Sequence, residues 1–191
     1  MSPASRAYIV LVGIAALVAL LERGYALRNE RRLRRSGASE VAPWVFRLMA
    51  PVYTLIFPAA VAEHLAWRRH PALVWSVAMG LLFVASKGLK LWAIAHLDGA
   101  WTMKVVLPRT LRVVATGPYR FLRHPNYVAV MGEIAALPLA GGAWVTALAG
   151  VALFGAILAW RVRTEEEALM AHPGYAAAMG ERPRFIPGGR P

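Results

Sequence analysis

The chain has 191 residues, enough for one domain and hardly two, and 58% of them are hydrophobic while only 17% are charged, against about one quarter charged in a soluble domain. A net charge of +12 at pH 7 is also seen in nucleic-acid-binding domains, but here the arginines cluster between apolar runs, as in a membrane protein beside anionic headgroups; membrane lipids are expected as partners, and no nucleic acid. The lack of cysteine excludes disulfides, a thiolate nucleophile and cysteine-held zinc or iron–sulfur sites.

Apolar runs at residues 7–21, 48–62, 72–86, 127–140 and 143–160 predict an all-α, polytopic integral membrane protein with about five transmembrane helices. A soluble bundle would lack the polar surface to cover five such runs. A full span needs ~20 residues, and most runs are shorter. Flanking Arg23, Arg47, Lys87 and Lys90 have stems long enough to complete them by reaching the headgroups. Arg6 precedes the first run, which ends in "LERGYALRNERR" and not at a small-residue cleavage site, so no signal peptide is expected. The arginine-rich stretch that follows, with Arg28, Arg31, Arg32, Arg34 and Arg35, reads as a loop. Residues 101–116, "WTMKVVLPRTLRVVAT", are rich in β-branched side chains and read as an extended connection or a short hairpin; long segments between spans often carry chemistry. Pro138, Gly141 and Gly142 mark a turn that makes the last two runs a helical hairpin. Three basic segments, at 28–35, 98–125 and after Trp160, hold five Lys or Arg each, against Arg6, Arg68 and Arg69 between the other ends. The positive-inside rule then puts the N-terminus outside and the C-terminus, with its last helix and a cofactor pocket, in the cytosol. The whole chain 1–191 is one membrane domain: residues 1–97 form three spans, and 98–191 form a cofactor-binding part with the hairpin and tail.

Two stretches carry the candidate chemistry. In "RHPNY", Pro125 pushes His124 out of helical geometry and suits the first helical position. His124 is therefore the cap, and the fourth span starts at Pro125. A helix start offers free N–H groups and partial positive charge to an anion, and Arg120 and Arg123 add donors. The same residues could instead meet lipid phosphate, with Tyr119 and Tyr127 in the interfacial belt. In "RVRTEEEAL", Arg161 shares a helical face with Glu165, and Arg163 with Glu167. Exposed pairs of this kind contribute only ~0.3–0.5 kcal/mol, and three consecutive glutamates are better explained by a cationic ligand. Anion donors and carboxylates at neighbouring helix ends suit a cofactor of mixed charge, such as S-adenosylmethionine. Glu133 lies about two turns into the fourth span, where a carboxylate marks function by default; the alternative is a bond to a neighbouring helix, through Trp92 or Lys90. Met79, Met103 and Met131 read as packing. His64, His70 and His96 are scattered and are assigned no metal. A soluble Rossmann-type methyltransferase is excluded, since there is no glycine-rich strand–turn–helix signature.

The block Gly-Pro-Tyr-Arg, then Arg-His-Pro-Asn-Tyr, then Arg161 with Glu165, Glu166 and Leu169, resembles the isoprenylcysteine carboxyl methyltransferase family. The tail "HPGYAAAMGERPRFIP" resembles the family's ending, without the usual Phe-Gly pair before the tyrosine. The resemblance spans about residues 101–187. The block is shared with phospholipid N-methyltransferases and with sterol reductases that bind a nicotinamide cofactor. Within the family the chain resembles a bacterial branch that accompanies type III polyketide synthases and O-methylates alkylpyrones or alkylresorcinols. The resemblance implies S-adenosylmethionine as cofactor, held by Gly117, Tyr119, His124, Pro125, Tyr127, Glu165 and Glu166. It implies a lipophilic acceptor that enters from the bilayer against Arg120 and Trp101, and catalytic roles for Arg123, Arg161 and Glu133, in a bacterial inner membrane. An anionic acceptor would need positioning by Arg120, Arg123 or Arg161, a choice the sequence leaves open; a resorcinol hydroxyl, near pKa ~10, would need His124 or Glu133 as base. The competing expectations are carboxyl methylation of an isoprenylcysteine, an NADPH-dependent membrane reductase, and a non-enzymatic polybasic scaffold.

Overall fold

Ser2 caps the first helix, α1 (Pro3–Arg35), by accepting from the Ser5 amide at 3.1 Å, and Pro3 takes the first helical position. In this computed structural model, which describes residues 1–69 and 71–189, α1 runs through the arginines expected to form a loop. The physical reason is local: Arg, Glu and Leu are good helix formers, and no Gly or Pro lies between Arg28 and Gly37. His70 and Arg190 lie outside the described residues. The other long helices are α2 (Pro43–Trp67), α3 (Leu73–Leu97), α4 (Pro125–Ala140) and α5 (Trp144–Met170), followed by a short α6 (Pro173–Met179).

The five long helices alternate in direction, as their end contacts show. At one end, His64 of α2 lies 3.1 Å from Ser5 Oγ of α1 and 2.7 Å from the Gly141 carbonyl after α4. There the Glu63 carboxylate accepts from the Val145 and Thr146 amides at the start of α5, and Trp75 of α3 donates to the Leu139 carbonyl. At the other end, Asn29 of α1 donates to the Asp98 and Trp101 carbonyls beyond α3, and His124 of α4 meets Glu166 of α5. The three basic segments therefore share one end of the bundle. Among the described residues, four helices, α1, α2, α3 and α5, are long and apolar enough to cross a membrane. At 16 residues, α4 spans only ~24 Å, short of the ~30 Å hydrocarbon layer. It is the central helix: ten of its residues are buried, with Val130 and Ile134 packed against Ile56, Phe154 and Leu158, and Ala136 and Leu137 against Tyr8, Val12 and Phe83. Short length costs little for a helix that meets protein instead of lipid.

Two further features depart from the sequence reading. Lys87 and Lys90 turn inward, not to the headgroups. Lys87 bridges Glu22 and Glu133 at 2.9 Å each, and Lys90 bridges the same two at 2.6 and 3.3 Å, closing a neutral ring that joins α1, α3 and α4. Tyr53 of α2 donates to Glu133 at 2.8 Å. Lys90 stays buried and Lys87 partly buried here because two carboxylates neutralise them. Second, of the two forms expected for the β-branched segment, it takes the extended one and forms no hairpin of its own; its partner strand lies far back in the chain. Strand β2 (Val105–Leu107) pairs antiparallel with β1 (Ser39–Val41), with Val41 opposite Val105 and Ser39 opposite Leu107. Lys104 reaches Glu30 at 2.9 Å beside this ribbon, tying it to the end of α1.

Candidate active site

Pro125 opens α4 and His124 is its N-cap, at φ −126° and ψ 54°, as expected of a residue before proline. The preceding 3₁₀ turn Gly117–Arg120 begins with Gly117 at φ +57°, and a Cβ there would collide with the His96 ring; only glycine fits. This turn sets Tyr119 into the interior beside Tyr175 and Met179 of α6. The chain then reaches Arg123 and His124, which the tail clamps. Their backbone amides donate to the Pro183 and Arg184 carbonyls at 2.9 and 3.1 Å. Arg184 donates to Glu166 at 2.9 Å, and Arg182 donates to the Ala115 and Tyr119 carbonyls.

Glu166 gathers three cationic or basic partners: His124 Nε2 at 2.9 Å, Arg123 Nη1 at 3.4 Å and Arg184 Nε at 2.9 Å. One residue earlier, Glu165 accepts from the Tyr127 hydroxyl and lies 3.7 Å from Arg161. Of the two helical pairs expected, this one closes; Arg163 and Glu167 are exposed. The buried Arg161 donates to Tyr127 Oη at 2.7 Å and to the Met103 carbonyl at 2.6 Å. It thus ties α4 and α5 to the segment before β2. The His124 and Tyr127 rings stack at 5.2 Å between centroids.

These groups line a cavity of about 650 Å³, inside the ~300–1,000 Å³ range of small-molecule sites. Trp101, Tyr119, Arg123, His124, Tyr127, Arg161 and Glu165 all face it. Gly117, Pro125 and Glu166 stand behind that wall and position it. Arg120 is exposed, with its guanidinium over the Phe121 ring at 4.2 Å. Glu133 is not brought to the cavity; its carboxylate closes the buried ring with Lys87 and Lys90, the latter a neighbour the sequence suggested, whereas Trp92 is exposed. The cavity also takes residues from the 1–97 part: Arg32 and Leu33 of α1, and Ala95, His96 and Leu97 of α3. Sequence reasoning missed Arg32, Asn126, Tyr175 and the tail clamp. The arginine run was the one signal for Arg32, and the Asn of "RHPNY" the one for Asn126.

The cavity's chemistry is uneven. Five lining side chains are cationic (Arg32, Lys104, Arg112, Arg123, Arg161) and two are acidic (Asp98, Glu165). Three buried polar atoms of its lining residues lack a hydrogen-bond partner: Trp101 Nε1, Arg123 Nε and Asn126 Oδ1. Orphaned atoms of this kind call for a ligand or water. Burial, reinforced by Glu165 and Glu166, pushes the Tyr175 hydroxyl up to about 12, and burial raises Tyr119 as well. Both phenols stay protonated at neutral pH.

The sequence model of the isoprenylcysteine carboxyl methyltransferase family matches residues 77–172, which hold all of α4 and α5 and most of the cavity wall. The chain is 27% identical over 164 residues to the uncharacterized protein YpbQ of Bacillus subtilis, covering 85% of this chain and 96% of that one. It is 25% identical over 146 residues to an uncharacterized protein of Haemophilus influenzae, covering 75% and 84%. With half of its length matched and its apolar helices in place, the chain belongs to the isoprenylcysteine carboxyl methyltransferase family, a family of integral membrane methyltransferases that use S-adenosylmethionine.

Proposed function

We propose that the protein is an S-adenosylmethionine-dependent O-methyltransferase whose acceptor is a lipophilic molecule with an acidic hydroxyl, of the alkylpyrone or alkylresorcinol kind, taken from the bilayer. The observation that carries this reading is a single cavity in which a carboxylate (Glu165), a stacked His–Tyr pair and a surplus of cations meet orphaned buried donors. The residues present fit the donor: the Glu165 carboxylate and the Asn126 carbonyl oxygen offer acceptors to an ammonium or to ribose hydroxyls, and the Arg123 N–H groups offer donors to a carboxylate. Bound there, S-adenosylmethionine supplies an electrophilic methyl group. The chain's own contribution is alignment, which supplies most of the rate in a displacement between two held partners. Glu166 fixes the His124 ring through Nε2, and the tail fixes its backbone. Arg161, buried and held by Tyr127 and the Met103 carbonyl, offers a fixed charge to an acceptor oxyanion. Where the acceptor is a neutral phenol, the His124–Glu166 pair is the base within the site. The basic end of the bundle faces the cytosol in this reading, where the cofactor is found.

The same surplus of arginines would also hold a carboxylate, so carboxyl methylation of an isoprenylcysteine is the second reading. Labelled S-adenosylmethionine with purified protein separates them. Label in a long-chain alkylpyrone or alkylresorcinol, with little in farnesylcysteine, is expected. Label in farnesylcysteine alone would overturn the acceptor assignment.

A further inference from the structure

Two imidazoles and two carboxylates line the cavity, from His96, His124, Asp98 and Glu165. Three of the four are engaged. His124 meets Glu166, Glu165 accepts from Tyr127 beside Arg161, and Asp98 accepts from the Tyr25 hydroxyl at 3.4 Å. His96 is different. It stands in the last turn of α3, and its Nδ1 donates to the Trp92 carbonyl, one turn earlier, at 2.9 Å. A carbonyl only accepts, so the proton is on Nδ1 and the neutral ring keeps a lone pair on Nε2. That nitrogen has no hydrogen-bond partner among the described residues, and the ring is only partly buried. The ring is nonetheless fixed. A Cβ on Gly117 would meet its Cδ2, Nε2 and Cε1 at 2.4, 2.4 and 2.5 Å. Near-equal distances to three ring atoms set Gly117 against the flat face of the ring, not against its Nε2 edge.

The surroundings of His96 favour the lipid acceptor over the methyl donor. Its ring meets Trp92 edge-on, with centroids 6.0 Å apart. Trp92 and Leu91 are 45% and 49% exposed on α3, a helix apolar enough to span a membrane. His96 thus joins the cavity to a side of the bundle that meets lipid. The groups assigned to the donor, His124, Tyr127 and Glu165, stand instead at the start of α4 and on α5. A nitrogen lone pair takes a hydroxyl hydrogen and has nothing to offer an oxyanion or an ether.

We propose that His96 selects the acceptor: its Nε2 accepts a hydrogen bond from the ring hydroxyl that is not methylated. The proposal rests on the methyltransferase reading above and adds the hydroxyl pattern that the site prefers. A resorcinol has a second hydroxyl to give. Its monomethyl ether, placed for a second transfer, does not, and neither does a pyrone enolate. Methylation of a resorcinol should therefore stop after one transfer.

The test is steady-state methylation by the full-length protein in detergent, with a long-chain alkylresorcinol, its monomethyl ether and a 4-hydroxy-alkylpyrone, alongside S-adenosylhomocysteine binding by calorimetry. Wild-type protein is expected to favour the resorcinol over its ether at least threefold in kcat/KM. H96L should raise KM for the resorcinol about three- to tenfold, the range of one lost hydrogen bond, and bring the two substrates within about twofold of each other. H96Q, whose amide oxygen can accept in place of Nε2, should recover part of the preference. Both variants should keep KM for the pyrone and the affinity for S-adenosylhomocysteine within about twofold, whereas a purely structural role would move these as well. An unchanged preference in H96L would overturn the proposal and leave the methyltransferase reading intact. So would weakened S-adenosylhomocysteine binding in H96L, which would put the ring on the donor, or wild-type protein that methylates only the pyrone. Wild-type protein that binds S-adenosylhomocysteine but methylates none of the three lipids would overturn the acceptor class and the His96 assignment with it. Wild-type protein that binds no S-adenosylhomocysteine would overturn the function itself.

Discussion

His124 and Glu165 approach the site from different helices, and each is held by a partner that is itself fixed. His124 is capped by the tail carbonyls and oriented by Glu166; Glu165 is held by Tyr127 and Arg161. Side chains locked in this way bind without a further ordering cost. A hydrogen bond to a charged group is worth about 1.5–3 kcal/mol, so E165Q should weaken S-adenosylhomocysteine binding by about ten- to a hundredfold, measured by calorimetry, with little change in melting temperature. The pH dependence is also set at this scale. Tyr175, raised to about 12 by burial and by the two glutamates, stays protonated through the range in which an acceptor hydroxyl ionises. Between pH 7 and 10 the rate should therefore follow the acceptor: flat for a pyrone already ionised, and rising for a resorcinol. Y175F should leave that limb in place, and a limb that vanished in Y175F would show tyrosine acting as the base.

The central helix is fixed at two places, the tail at its start and the ionic ring at its middle. Glu22, Lys90 and Glu133 are buried, Lys87 is partly buried, and the four cancel one another. Removing one member leaves an uncompensated charge, which costs about 3–5 kcal/mol. E133Q should therefore lower thermal stability strongly. A paired change, E133Q with K90M, should recover part of the loss, and a double-mutant cycle would measure the coupling. If the ring only holds helices together, E133Q protein that remains folded binds S-adenosylhomocysteine normally. At the other fixing point, deleting the chain from Arg182 onward frees the Arg123 and His124 amides and removes the Arg184 contact to Glu166. That truncation should weaken cofactor binding at least tenfold, as a binding assay on the solubilised protein would show, while the helical circular dichroism persists. Full-strength binding by the truncated chain would contradict the clamp.

Over the whole molecule, hydropathy made the helices legible, because burial in lipid or protein demands apolar runs regardless of tertiary detail. The start of α4 at Pro125, the hairpin turn at Gly141 and the Arg161–Glu165 pair were legible too, since each follows from residues within a turn or two of one another. What stayed hidden depends on contacts far apart in the chain. Nothing local to Val105 names Ser39–Val41 as its partner strand. Nothing near Lys87 or Lys90 says that Glu22 and Glu133 will neutralise them, so a headgroup position looked equally sound. The reach of Arg32 into the cavity depends on α1 continuing past its apolar run, which helix propensity permits and hydropathy does not signal. Family membership came from the short block around His124 and the Arg161–Leu169 stretch, where the residues that carry the chemistry are also close in sequence.

All of this rests on the charged groups at one end of the bundle enclosing a single methyl donor. The most direct test is the structure of the full-length protein with S-adenosylhomocysteine. The ligand should occupy the cavity and touch His124, Tyr127 and Glu165 at once, with Trp101 left open for the acceptor. A ligand held elsewhere on the molecule, or one touching only one of the two helix ends, would contradict the account.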